Sequence, residues 1–243
     1  MLYWDTSATH GGFTELTLDM LRKIKKEADL ATLADQAYAA IEEMIVDRTF
    51  EPGQMISESE VGETLGLGRT PIREAIARLK HIGFVEIHSR RGVQVSTIDP
   101  VKHLELLEVR LPLERDIVRH AVERATADDL KDLASASASL VKAAKAGDRR
   151  AYFLAKRELH DIEVRSARNT ILTTTMRTLH AQSRRFWQSY EPTSSFEKGA
   201  GLHGKIAKAI IARNEATAQA NVGKLFRFLE SLTELVVKRR HLS

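Results

Sequence analysis

The stretch that most constrains this chain runs from Ile56 to Arg91, ISESEVGETLGLGRTPIREAIARLKHIGFVEIHSRR. Ser57 and Glu60 stand three apart, the spacing of a capping box, and predict a helix start. Val61, Thr64 and Leu65 continue a short apolar stripe, which Gly66 ends where a left-handed turn costs little. A second helix follows over 69–82, with Pro71 in its first turn, where a missing N–H is harmless. Its Ile72, Ala75, Ile76, Leu79 and Ile82 recur at steps of three and four, so one face is buried. Arg69, Thr70 and Arg73 lie off that face, in and just after the first turn. Two helices joined by a turn of this kind form a helix-turn-helix, whose second helix enters the major groove N-terminus first.

The residues after Gly83 extend the pattern. Val85-Glu86-Ile87-His88 and Val93-Gln94-Val95-Ser96 alternate apolar and polar side chains, and Ser89-Arg90-Arg91-Gly92 joins them as a turn. A hairpin with two arginines at its tip, directly after a helix-turn-helix, is a wing able to reach phosphates or a neighbouring groove. Charge follows the same geography. Residues 33–63 hold eight acidic residues and one basic, whereas 69–91 hold six basic and two acidic. Positive charge thus gathers on the second helix and wing, where phosphates would lie.

The remaining chain divides readily. Residues 1–14 read as a disordered or loosely docked arm, and 15–29 as an extra helix whose Arg22-Lys23-Ile24-Lys25-Lys26 run is first of all a solvated face, with a DNA contact as the alternative. Residues 33–47 supply the winged unit's first helix, with Ala37, Tyr38, Ile41, Met44 and Ile45 inward. Met55-Ile56 adds a third short strand. Asp99-Pro100 is a cap followed by a first-turn proline, and marks a boundary. Three parts result: an extension over 1–32, a winged helix-turn-helix over 33–98, and a helical part over 99–243.

From 100 onward the periodicity is helical throughout. The first helix, 100–124, carries Leu104, Leu106, Leu107, Val109, Leu111, Leu113, Ile117 and Val118, and should kink or break near Pro112. Further helices are expected over about 127–146, 149–167, 170–189, 197–212 and 214–239, with short connections that imply antiparallel neighbours. The fold class is mainly α: a winged unit with a small β wing, then an all-α antiparallel bundle. Residues 98–243 carry 26 basic and 18 acidic residues, a balance that suits an anionic ligand and equally a solvated helical surface.

Several functional classes are excluded. The chain has no cysteine, hence no disulfide framework or thiolate nucleophile, in keeping with a reducing cytoplasm. It lacks G-x-S-x-G, H-E-x-x-H and a phosphate-cradling glycine loop, and adjacent His160-Asp161 point in different directions on a helix, so an enzyme is not expected. No stretch approaches the roughly 18 apolar residues of a membrane span. The expectation is a cytoplasmic protein without membrane attachment.

In order and spacing, Pro52-Gly53, Ser57-Glu58, Leu65-Gly66, Arg69-Thr70-Pro71-Ile72-Arg73-Glu74-Ala75, Leu79, Gly83 and Gly92 resemble the GntR family of regulators, closely over 33–97. The helical remainder resembles the FCD type of ligand-binding domain, the FadR-like part of that family, through Arg110-x-x-x-Glu114, the His160 region ending in Asn169, and His203 followed by Ile206, Ala209 and Ile210. This resemblance implies DNA contacts at Arg69, Thr70 and Arg73 and at the wing residues Arg90, Arg91 and Gly92. Ser57 and Ser59, at the start of the preceding helix, join them as candidates. Arginine can hold guanine O6 and N7 as a bidentate pair, and Thr70 suits a phosphate or a thymine methyl. Gly68 replaces the family's usual serine cap at little cost.

The resemblance also implies a divalent-metal site, but two of its four positions are Lys156 and Leu225 here. An ammonium group repels a cation and leucine has no lone pair, so His160 and His203 alone make a poor site and no metal or other cofactor is expected. Arg110, Lys156, His160, Arg184 and His203 become candidates to hold a carboxylate or phosphate of a small organic-acid effector. The alternative is equally open: His160 and His203 as satisfied core histidines, with Arg110 bridged to Glu114. The resemblance implies a homodimeric regulator on a palindromic operator in double-stranded DNA, a repressor of a catabolic operon released by its effector. Activation, or action without an effector, is the alternative.

Overall fold

The computed structural model describes residues 32–89 and 91–240. The expected arm and extra helix over 1–31, and Arg90 at the wing tip, lie outside the described residues. The described residues separate into two compact units that divide between Thr97 and Ile98.

In the first unit, α1 (Leu33–Val46) begins at a full capping box. Thr32 Oγ1 accepts from the Asp35 amide at 3.1 Å and Asp35 Oδ2 accepts from the Thr32 amide at 3.2 Å. The sequence signal was easy to pass over because aspartate, not glutamate or glutamine, stands at the third position. Gly53 turns the chain at φ 85°, and β1 (Met55–Ile56) follows. In α2 (Glu58–Leu65), Ser57 Oγ accepts from the Glu60 amide at 3.1 Å, half of the expected box. Gly66 closes α2 in the left-handed region at φ 62°.

The second helix of the motif, α3 (Arg69–His81), buries Ile72, Ala75, Ile76 and Leu79, while Ile82 is only half-buried. Phe84, which periodicity alone does not single out, is almost wholly buried just beyond it. β2 (Val85–His88) and β3 (Gly92–Val95) pair antiparallel, Ile87 opposite Val93, and β1 adds to the far edge of β3 with Met55 opposite Gln94. The alternation in β2 is imperfect: Val85 is buried, but Ile87 is 46% exposed.

The second unit is helical over its described residues. It contains α4 (Pro100–Arg124), α5 (Ala127–Ala146), α6 (Arg149–Ser166), α7 (Thr170–Tyr190), α8 (Phe196–Ile211) and α9 (Glu215–Arg240), with a 3-10 turn at Thr193–Ser195. Asp99, Thr126, Asp148, Asn169 and Asn214 each accept a first-turn amide with their side chains. α5 packs on α6 and α8, and α9 on α4 and α8. Tyr152 stacks on Phe196 at 3.9 Å at the heart of the core.

In α4 the break expected as one outcome near Pro112 does not occur: the helix runs through it as one element. Pro112 and Glu108 both face solvent, so the carbonyl that loses its partner can bond water. Of the expected apolar residues Leu107, Ile117 and Val118 are buried, but Val109 is 55% exposed, and His103, Arg110 and Glu114 turn inward beside them. Arg110 and Glu114 can occupy this buried face because they bond each other there.

Two glycines of the motif should respond oppositely to substitution. Gly68 caps α3 at φ −68° and has open space where a Cβ would stand, so Gly68→Ser should stabilise the fold by about 0.5–1 kcal/mol. Gly66→Ala should cost about 1–2 kcal/mol through its left-handed backbone. Urea unfolding of both variants checks the pair.

Candidate nucleic-acid surface and bundle cavity

Anchoring α3 through its apolar face leaves its first turn outward. Arg69, Thr70 and Arg73 are all exposed. Arg73, with a side chain 74% exposed, donates from Nε to Glu58 Oε2 at 3.2 Å, and its Nη2 lies 3.2 Å from the same oxygen. Its guanidinium is therefore oriented from α2, with Nη1 outside those two contacts. Ser59 is exposed and its Oγ lies 3.0 Å from Ser57 Oγ, whose other role is the cap. Arg91 and Gly92 are exposed at the wing, and Gly92 takes φ 97°. Gln94 stiffens this hairpin: its Oε1 is 3.0 Å from His88 Nε2 and its Nε2 donates to the Gly53 carbonyl at 3.0 Å. Of the six basic residues over 69–91, Arg78 is tied to α1 by a 2.8 Å contact with Asp35 and lies over the Tyr38 ring.

The second unit holds a cavity that brings together all five effector candidates, Arg110, Lys156, His160, Arg184 and His203, with His180, Ser183 and Trp187. Its free volume is about 20 Å³, room for a single water, so an organic acid could enter only if side chains moved. Two of these cations, Arg110 and Lys156, are paired. Arg110 donates to Ser183 Oγ at 2.6 Å and to Glu114 Oε1 at 2.5 Å, and Lys156 donates to Glu191 Oε2 at 3.0 Å. The Arg110–Glu114 bridge, one of the open readings, is thus present, but His203 is not a satisfied core histidine. It is 2% exposed and neither ring nitrogen has a partner.

His180, Ser183, Glu163 and Glu191 are the polar residues that sequence reasoning missed. His180 Nε2 lies 2.8 Å from Glu114 Oε1, and its ring stacks on His160 at 4.7 Å. A signal existed: His180, Ser183 and Trp187 fall at steps of three and four, one face of α7. Glu191 stood in a stretch read as a connecting loop.

Burial dictates the charge states. It pushes His160 well below its ordinary value, aided by His180 and His203, and pushes His203 down to about 3, aided by Lys156. Burial alone would raise Glu114, but His180 and Arg110 outweigh it and hold the carboxyl at about 2. Burial and the neighbouring Glu114 raise Glu163 well above the usual carboxylate range. Arg110 is thus paired with Glu114 and Lys156 with Glu191, beside the His160 and His203 imidazoles that burial keeps neutral. A neutral imidazole offers one donor and one acceptor.

The donor set does not suit a divalent cation. His160 and His203 approach at 5.0 Å between ring centroids, but Lys156 lies beside them and Leu225 offers no lone pair. His180 adds a third ring, yet its Nε2 is engaged by Glu114 and its stacked orientation keeps its nitrogens from converging with those of His160.

A pH dependence follows. The folded value of His203, about 3, lies below its unfolded value of 6.5, so the unfolded chain binds the extra proton and stability falls as pH drops below 6.5. Each such histidine contributes a slope of about 1.4 kcal/mol per pH unit. His203→Gln should flatten the decline in stability between about pH 6.5 and 5 by one proton's worth; urea titrations across that range measure it.

Comparison with known proteins agrees with this division of labour. The model of the bacterial regulatory proteins of the gntR family matches residues 33–95, and that of the FCD domain matches 105–227. The HTH-type transcriptional regulator YdhC of Bacillus subtilis (strain 168) is 30% identical over 95 residues, 39% of this chain and 42% of that protein. The HTH-type transcriptional repressor NanR of Enterobacter sp. (strain 638) is 30% identical over 125 residues, 43% of this chain and 47% of that protein. The chain thus spans less than half the length of each of these relatives. Among solved structures, E. coli McbR/YncC superposes with a TM-score of 0.76 at 18% identity, covering 86% of this chain and 100% of that one, a likeness of fold. With its N-terminal motif and more than half its length so matched, the chain belongs to the GntR family of bacterial transcriptional regulators that carry an FCD domain.

Proposed function

We propose that this regulator is a homodimeric repressor of a catabolic operon, acting in the cytoplasm, that reads a palindromic operator with α3 and the wing and leaves it when a small organic acid occupies the bundle. The observation that carries the effector reading is His203, deep in the second unit, lining the cavity without a partner for either nitrogen. A buried polar group without a partner costs about 1–3 kcal/mol, which a ligand's hydroxyl or carboxylate would recover. The operator reading rests on Arg69, Thr70 and Arg73, exposed together at the start of α3, where side chains of a recognition helix meet base edges. One such helix reads only a few base pairs, and two related by a two-fold axis read two half-sites one turn apart. Repression accords with the name of the NanR relative. The effector releases DNA only if it prefers the conformation whose reading heads are misaligned.

Gel shifts on DNA from the gene's own promoter test both halves. Arg73→Ala should weaken specific binding by about 5- to 150-fold, the worth of one bidentate guanine contact, with helical content unchanged; normal affinity would remove α3 from the reading role. In the same assay, a panel of small hydroxy acids should include one that dissociates wild-type protein but not His203→Gln. If none acts on the wild type, the protein is a regulator without an effector.

A further inference from the structure

Glu191 is the first residue after α7, yet its carboxylate does not face water. Its side chain is 1% exposed and points into the bundle. Oε2 accepts from Lys156 Nζ at 3.0 Å, and Oε1 accepts from the Tyr152 hydroxyl at 3.0 Å and from Ser195 Oγ at 3.4 Å. The backbone is fastened as well, since the Glu191 carbonyl accepts from Arg149 Nη1 at 2.7 Å. Gly199 leaves room for this arrangement: a Cβ there would stand 2.8 Å from the Tyr152 oxygen. Around the Lys156 ammonium the rings of Tyr152, Phe153 and Trp187 lie 5.4, 5.8 and 5.7 Å away. One ammonium, one phenol and one hydroxyl, all buried, thus converge on a single carboxylate, and Lys156 also lines the cavity.

We propose that Lys156, Tyr152 and Ser195 form a carboxylate-binding subsite that Glu191 fills from within the chain, and that a ligand's carboxylate enters the cavity by taking Lys156 from Glu191. The nature of that ligand rests on the effector reading above; the subsite does not. The exchange keeps the interior neutral once the displaced Glu191 carboxylate has swung out to water, because one carboxylate then replaces another on the same ammonium. Glu191 also begins the connection that carries the turn Thr193–Ser195 into α8, so its release removes that connection's carboxylate tie to the bundle while the Arg149 contact to its carbonyl remains. Ligand affinity is accordingly held down by an internal competitor.

Chemical rescue in the full-length protein tests this. Glu191→Ala deletes a volume the size of acetate and strands Lys156 and Tyr152, so Tm in chloride buffer should fall by roughly 6–20 °C. Acetate should restore at least half of that loss, and acetamide, the same shape without charge, should not. Wild type and Glu191→Gln, in which the space is filled, should respond to acetate no more than to chloride. Adding Lys156→Met to Glu191→Ala should abolish the recovery. If Glu191→Ala does not fold in chloride, folding in acetate that is lost on exchange into chloride supports the subsite, and failure to fold in either overturns it. Absence of recovery, equal recovery with acetamide, or recovery that survives Lys156→Met also overturns it. None of these results bears on operator release from the wild type, so the two readings fail separately.

Discussion

The N-terminal unit depends on the burial of one face of α3. Ile72, Ile76 and Leu79 are fully buried together with Ala75, and each large side chain contributes about 1.5–3 kcal/mol by leaving water. That anchoring fixes the rotation of the helix about its axis, and rotation decides which residues can face a duplex. Its consequences are local. Gly66 supplies the left-handed turn that α2 needs before α3 can begin, and Glu58 holds Arg73 by two 3.2 Å contacts. A guanidinium oriented before binding loses less rotamer freedom on meeting a base, which favours geometric discrimination over simple attraction to phosphate.

The second unit meets a different constraint, that of keeping charge inside an apolar bundle. Replacing water around Arg110, Glu114, Lys156 and Glu191 is expensive, and the cost is offset only because each cation has its own carboxylate. What is left over is informative. The pairs are closed, burial keeps His160 and His203 neutral, and His203 remains without partners. An interior that served packing alone would gain from leucine at these positions. The proposed effector site draws on this polar set, with internal carboxylates in positions that a ligand's could take.

Much of this was legible in the sequence, where structure is local. Caps at Asp99, Thr126, Asn169 and Asn214, the left-handed Gly66 and the strand register after Gly83 are set by neighbours a few residues apart, and such neighbours leave a pattern. On α4 hydrophobic periodicity alone ranks Val109 above Arg110 and Glu114, whereas burial of the latter two is settled by partners far away in the chain. His180 is 66 residues from Glu114 and Ser183 is 73 from Arg110. Glu191 was hidden for the same reason, since its carboxylate meets Lys156 across 35 residues. Pro112 failed as a breaker because solvent, rather than another side chain, can take the freed carbonyl.

The account turns on arginines at the start of α3 reading guanine edges in the major groove, from two copies related by symmetry. Methylation interference on the gene's own promoter addresses this most directly, because a methyl group on guanine N7 blocks that edge and leaves the phosphates intact. The account predicts that binding is lost when N7 is methylated at guanines in two symmetric half-sites about 10 base pairs apart, centre to centre. Binding that tolerates N7 methylation at every guanine would contradict it.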